Sequence, residues 1–266
     1  EGPEVRRITE SLAESIGGKL LTGIKILSGR YQNHGPPEGF SQLVDNLPIK
    51  VAGAGCHGKF IFIILENEWT IWNTLGMSGS WSGIEKKHSR IRLDLSGENV
   101  FFNDMRNFGT LKIVKGKGFL IDKLNSLGPD MLNDDIEDDM FFKRIKMCKN
   151  RTIAQAVMDQ KVISGVGNYL KAEALYISKI SPHRSCASLE DQDLSLLNES
   201  IKKTIRASYE TGGATISTYS GFEGEIGEYS RRFLVYNQKT DPHGNTVIKE
   251  KTKDGRTTHW VPDVQR

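Results

Sequence analysis

The chain has 266 residues, long enough to bury one large core or two modest ones without covalent staples. Three cysteines, Cys56, Cys148 and Cys186, lie far apart and outside any CxxC spacing, so they read as ordinary thiols rather than a redox or zinc site. No run approaches ~18 apolar residues and no basic-then-apolar leader opens the sequence, which predicts a soluble intracellular protein with no membrane partner.

A net charge of +3 is too mild to argue for a nucleic-acid partner. Its distribution says more. Between Pro129 and Asp139 the charged residues are Asp130, Asp134, Asp135, Glu137, Asp138 and Asp139, whereas Lys143, Arg144, Lys146, Lys149 and Arg151 follow without an acid.

In chain order, Val5, Ile8, Leu12 and Ile16 keep helical spacing, Pro3 suits a first turn, and Gly17 and Gly18 supply a stop. From about Leu21 to Val114 the pattern changes to short β-rich runs, "FIFIIL", "WTIWNTL", "RIRLDL" and "NVFFND", separated by Gly, Asn and Asp turns. This predicts a β-sandwich or barrel packed with the first helix. The polar, acidic stretch from Asn125 to Met140 reads as a linker. Helical periodicity then predicts helices over Arg151–Asp159, Tyr169–Ile177 and Leu189–Glu210, the last ended by Gly212 and Gly213. From Phe233 onward "FLVYN", "TVIKEK" and "RTTHWV" read as β segments joined by turns at "DPHGN" and "DG". The expected class is α+β. Its parts are a helix with a β-sandwich domain (1–124), a linker (125–140), a helical domain (141–232) and a C-terminal β-hairpin (233–266).

The most informative segment is "DQKVISGVGNYLKAEAL", a helix, a turn carrying Gly165 and Gly167, and a second helix beginning at Asn168. Two glycines let a backbone come close to a partner, and unpaired N–H groups at a helix start attract an anion such as phosphate. A helix hairpin with small residues at its crossing explains the same spacing. Glu1 and Glu4 suit a helix N-terminus, Lys59 reads as a solvated strand-edge charge, and Met77 and Phe108 as core or loop residues.

Six segments in order resemble the Fpg/Nei family of DNA glycosylases, the formamidopyrimidine-DNA glycosylase and endonuclease VIII group. They are "EGPEV", "LGMSG", "NDMRNFGTL", "DQKVISGVGNYLKAEAL", "GGATIS" with "FLVYN", and "GRTTHWVPDVQ". The resemblance implies a bifunctional base-excision-repair enzyme, a glycosylase and abasic-site lyase, and identifies the helical segment with the family's helix-two-turns-helix motif. Family members begin Pro-Glu-Gly-Pro-Glu and use the proline amine as nucleophile, so the resemblance places that proline just before Glu1. An α-amine has a reference pKa near ~7.7 to 8.0, which leaves a useful unprotonated fraction at neutral pH. Were the proline truly absent, the alternative would be a damage-binding protein without catalysis.

By the same resemblance Glu1 is the general acid, Glu4 helps hold the site, and Lys59 and Arg256 grip phosphates around the damaged nucleotide. Met77, Arg106 and Phe108 match the residues that fill the void left by an extruded base, and Lys161 and Asn168 match further DNA contacts. Glu173 is expected to brace the motif from within. The family's finger usually holds zinc with four cysteines, but no cysteine lies beyond Cys186, and His243 and His259 cannot complete a tetrahedral site alone. The resemblance is therefore to a zincless-finger, endonuclease VIII-like branch with no cofactor or metal. Phe233, Val235 and Trp260 are expected to pack that hairpin onto the helices. The implied partner is double-stranded DNA carrying oxidised bases (oxidised pyrimidines and hydantoins) or abasic sites, with single-stranded DNA a further candidate, bound by a monomer.

Overall fold

In the computed structural model, which describes residues 1–214 and 227–266, the chain falls into two compact units. One comprises Glu4–Asn125 with Ala214–Gly227, the other Glu1–Pro3, Ser126–Gly213 and Glu228–Arg266. The expected classes of both hold: a β-sandwich with its helix, and a helical unit with a C-terminal hairpin. Among the described residues no helix is long and apolar enough to cross a membrane.

The sandwich unit carries most of helix α1 (Gly2–Ile16) and eight antiparallel strands: β1 (Leu20–Ile26), β2 (Ile49–His57), β3 (Phe60–Leu65), β4 (Trp69–Thr74), β5 (Gly79–Ser82), β6 (Ser89–Leu95), β7 (Glu98–Asp104) and β8 (Thr110–Lys115). The strand order is β5-β7-β6-β1-β2-β3-β4-β8. Strand β1 meets β2 through only Leu20↔Lys50 and Leu21↔Ile49, so the ladder breaks there into two four-stranded sheets. Val5, Ile8, Leu12 and Ile16 of α1 join the sandwich core with Ile61, Ile63, Ile71, Trp81 and Ile91. Each such side chain contributes roughly 1.5–3 kcal/mol by leaving water.

Two short helices interrupt the β region, α2 (Arg30–His34) and α3 (Phe40–Val44), and α4 (Lys117–Asn125) follows β8. Periodicity did not reveal them. Helices α2 and α3 are five residues each, and α4 has no buried residue, so none carries a core-facing stripe.

In the helical unit the stretch after Asn125 is pinned down. Asp130 is buried, pairs as an isolated parallel bridge with Ser164, and accepts hydrogen bonds from Leu132 N–H and Asn133 Nδ2. The helices here are α5 (Asp138–Lys146), α6 (Ile153–Met158), α7 (Asn168–Ile177) and α8 (Asp191–Glu210). Thr152 and Gln155 form a capping box at the start of α6. Helix α7 is enclosed: Tyr169 to Tyr176 are all buried.

The hairpin consists of β9 (Ile248–Lys251) and β10 (Thr257–Trp260), paired from Thr257↔Lys251 to Trp260↔Ile248. "FLVYN" departs from expectation because it is not a strand. The N–H groups of Leu234, Val235 and Tyr236 converge on the Glu173 carboxylate of α7, at 2.8, 3.0 and 2.8 Å, which takes the donors a strand would have given to a neighbour. Val235 is fully buried with Val261, Ala172 and Tyr176, and Phe233 packs against Tyr169 with ring centroids 5.3 Å apart. Trp260 meets His183 of the helical unit edge-on and donates to Glu250, while Val261 joins Val235 in the small apolar cluster. Of the segment from Thr218 to Arg232, the part up to residue 226 lies outside the described residues.

Candidate active site and nucleic-acid interface

Helix α7 starts with N–H groups that have no intrahelical acceptor. The Glu1 carboxylate takes two of them, accepting from Tyr169 N–H at 2.8 Å and Leu170 N–H at 3.2 Å. The anion at this helix start is therefore the chain's own first side chain, where the sequence had suggested a phosphate. Gly2 N–H also donates to Gly165 O at 2.9 Å, so two consecutive residues fasten the chain start to the turn before α7.

The glycines make this approach possible. A Cβ on Gly167 would lie 2.3 Å from Glu1 Cδ, although Gly167 itself has an ordinary extended backbone. Gly165 needs glycine for a second reason, a φ of 94°. The group for which Gly167 clears space is the Glu1 side chain.

Asn168, the first residue of α7, donates from Nδ2 to Thr257 O at 2.8 Å. Thr257 follows Arg256, which is exposed at the tip of the hairpin. Glu1, Asn168 and Arg256 thus converge on one end of one helix. Lys161 is exposed in the turn between α6 and α7, where Arg144 reaches its carbonyl.

Behind that end lies a buried ion pair that the sequence reading did not single out. Lys171 Nζ meets Asp254 Oδ2 at 2.5 Å, with the two side chains only 0% and 3% exposed. Burial pushes the Lys171 ammonium down, against the pull of Asp254. Burial acts to raise Asp254, but the bonds from Lys171 and Thr252 outweigh it and hold the carboxyl below its usual range. Further along α7, burial pushes Glu173 up despite its three N–H donors. Tyr176 donates to Asp241 at 3.0 Å. Asp241 also accepts from His243 N–H, Asn245 N–H and Asn245 Nδ2; burial acts to raise it, yet these bonds bring it to about 2. His259 is buried edge-on to Tyr236 with ring centroids 4.8 Å apart, and burial pushes its pKa down. Among the described residues, no group of three or more His, Cys, Asp or Glu is placed to hold a metal.

In the sandwich unit the structure gathers Met77, Arg106 and Phe108. The Arg106 guanidinium lies 4.8 Å from the Phe108 ring centroid and reaches Met77 Sδ at 3.5 Å. Met77 and Phe108 are 52% and 55% exposed, which sets them apart from the core role their residue types suggest. One buried carboxylate sets both loops: Asp104 Oδ1 accepts from Ser78 Oγ and Arg106 N–H, and Oδ2 accepts from Gly109 N–H. Asp104 was readable only as part of "NDMRNFGTL"; nothing in its spacing marked it as the hub.

Glu4 is also buried in this unit and accepts from Ala214 N–H at 2.7 Å, so it does more than favour its own helix start. Lys59 is half-buried in the two-residue turn between β2 and β3.

Comparison with known proteins matches three consecutive family models. These are the formamidopyrimidine-DNA glycosylase N-terminal domain over residues 1–111, its H2TH domain over 127–220 and its C-terminal domain over 226–266. The formamidopyrimidine-DNA glycosylase of Oceanobacillus iheyensis is 32% identical over the whole chain and 97% of its own length. That of Shouchella clausii is 28% identical over 100% and 98%. Among solved structures, the MutM (Fpg) protein of Thermus thermophilus is similar with a TM-score of 0.87 and 26% identity, covering 99% of this chain and 97% of that one. The Lactococcus lactis glycosylase bound to DNA containing an abasic site has a TM-score of 0.86 at 24% identity, over 100% and 99%, a likeness of fold.

Proposed function

The chain belongs to the formamidopyrimidine-DNA glycosylase family, DNA-repair glycosylases that also act as abasic-site lyases, and from that premise we propose how its residues divide the reaction. The nucleophile is the secondary amine of a proline directly before Glu1 in the full-length protein. It attacks C1′ of the damaged nucleotide, and the departing base takes the electrons of the glycosidic bond. The amine loses its proton and the C1′–O4′ bond opens, its oxygen taking a proton from Glu1, to leave an iminium. Loss of a C2′ proton then expels the 3′ phosphate and loss of a C4′ proton expels the 5′ phosphate, completing β,δ-elimination.

The observation that carries this reading is the double fastening of Glu1 and Gly2 to the turn and first N–H groups of α7. It supports a position near Asn168 and the hairpin turn for the residue proposed to precede Glu1. Proximity of this kind is what an amine nucleophile needs. Glu1 supplies the proton for opening the sugar ring, and Glu4 holds the start of α1. Lys59, Lys161, Asn168 and Arg256 hold phosphates of double-stranded DNA, a salt-sensitive contribution. Met77, Arg106 and Phe108 enter the duplex in place of the extruded base: an apolar wedge, a cation that hydrogen-bonds a base edge, and an aromatic that stacks.

The C-terminal hairpin lacks cysteine and is fastened to α7 by side-chain carboxylates, which supports the zincless, endonuclease VIII-like assignment with its preference for oxidised pyrimidines and hydantoins. The test is a nicking assay of the full-length protein on duplexes carrying thymine glycol, a hydantoin, a formamidopyrimidine or 8-oxoguanine. Faster excision of the first two, with phosphate on both sides of the gap, is expected. Preference for the purine lesions would overturn the substrate assignment, and a gap bearing only β-elimination ends would overturn the second elimination.

A further inference from the structure

Arg256 is exposed at the last position of a five-residue turn, yet the chain on both sides of it is fastened to the helices. Asp254, two residues before it, forms the buried pair with Lys171 and accepts from Thr252 Oγ1 and from Arg256 N–H at 2.5 and 3.3 Å. Thr257, directly after it, accepts from Asn168 Nδ2. Lys253 O accepts from Gln155 Nε2 at 3.2 Å. A turn that only needed to reverse the chain would not require an ion pair sealed from water, because two charges removed from solvent are held at a desolvation cost that simple apolar packing avoids.

We propose that Lys171 and Asp254 are a positioning pair: their buried ion pair aims Arg256 at the phosphate it binds, in fixed relation to Glu1, which is fastened to the start of the same helix as Lys171. The inference rests on the phosphate role of Arg256 proposed above. Lys171 lies three residues after Asn168, so the two fastenings are about one helical turn apart and straddle Arg256. Movement of the tip relative to α7 then requires breaking at least one of them. The device also ties the phosphate contact to the N–H groups that hold Glu1, because both attachments belong to α7.

The experiment uses the full-length protein and a duplex carrying tetrahydrofuran as a non-cleavable abasic site, with Kd measured across a salt series. Asp254→Asn is expected to weaken binding about tenfold or more and to lower the salt slope by about 0.9, the signature of one lost phosphate contact. Arg256→Ala should do the same, and the combined variant should be no weaker than Arg256→Ala alone. Lys171→Arg, which preserves the pair, should restore both Kd and slope. If Asp254→Asn does not fold, Lys171→Met combined with Asp254→Asn leaves no stranded charge and should show the same loss of slope.

A wild-type slope in a folded Asp254→Asn or neutral-pair chain, beside a reduced slope in Arg256→Ala, would overturn the positioning role alone. Independent, multiplicative losses in the combined variant would also overturn it. A wild-type Kd and slope in Arg256→Ala would remove the phosphate role from Arg256 and take the inference with it.

Discussion

The sandwich unit and the helical unit solve the problem of presenting functional groups by opposite means. In the sandwich a continuous apolar core runs from α1 through both sheets, and the exposed Met77, Arg106 and Phe108 depend on a single buried carboxylate, Asp104. In the helical unit, the apolar cluster that receives the hairpin is small, centred on Ala172, Tyr176, Val235 and Val261, and α7 reaches outward through buried polar groups. Lys171 takes Asp254, Glu173 takes three backbone N–H groups, and Tyr176 takes Asp241. The difference teaches where each unit is fragile. A hairpin of two short strands is marginal in water, so polar anchors must supply what a core does elsewhere.

The largest expected effect sharpens that contrast. Leu12→Ala, which hollows the sandwich core, and Glu173→Ala, which strands the buried Val235 N–H and the part-buried Leu234 and Tyr236 N–H groups, should each cost about 3 kcal/mol in urea unfolding. Only the second should open the 233–266 segment to limited proteolysis under native conditions. Comparable protection in both variants would break the distinction.

Asp104→Ala comes next, at about 2 kcal/mol, because Ser78 Oγ, Arg106 N–H and Gly109 N–H lose one common acceptor. Lesion excision should fall further than stability does, since the two loops that carry Met77, Arg106 and Phe108, the residues proposed to enter the duplex, lose their reference point. Unchanged excision in a folded Asp104→Ala chain would separate those loops from function.

Gly167→Ala should cost less than about 1 kcal/mol, since its backbone is already ordinary and the obstructing atoms belong to a flexible side chain. Glu1 must nevertheless leave the α7 N-terminus, so excision should drop by about two orders of magnitude, the scale of a lost general acid. A Gly167→Ala enzyme with wild-type turnover would refute the account of why that glycine is there.

The smallest effect is a pH dependence. The folded pKa of Asp241 is lowered to about 2, so its contribution to stability is present above the ordinary aspartate pKa of ~3.9 and is lost as pH falls through about 2. Glu173 works in the other direction. Burial raises its pKa, so its favourable contribution is full below ~4.3 and declines as pH rises through the folded value. Asp241→Asn should flatten the acid limb between about pH 4 and 2, and an unaltered limb would exclude Asp241 as its source.

How much of this was legible in the sequence follows the same division. Helix α1 was legible because Val5, Ile8, Leu12 and Ile16 face one core, and the strands because their runs are β-branched and aromatic between turn residues. "FLVYN" misled because its composition suits a strand while its N–H groups are claimed by Glu173, a residue about sixty positions away. The glycines of "ISGVGN" correctly announced a close approach, but not that the approaching group was Glu1. Lys171, Asp254 and Asp104 were out of reach for a related reason: a buried charge carries no periodicity, and its partner is known only once the chain has folded.

The most direct test of the central claim is borohydride trapping of the full-length protein on an abasic duplex, with the adduct located by peptide mass. A covalent DNA adduct is expected on the N-terminal peptide, at the proline proposed to precede Glu1, forming about a hundredfold more slowly in a Gly167→Ala chain that still folds. An adduct on Lys59 or another internal lysine, or none from an enzyme that still excises the base, would contradict it.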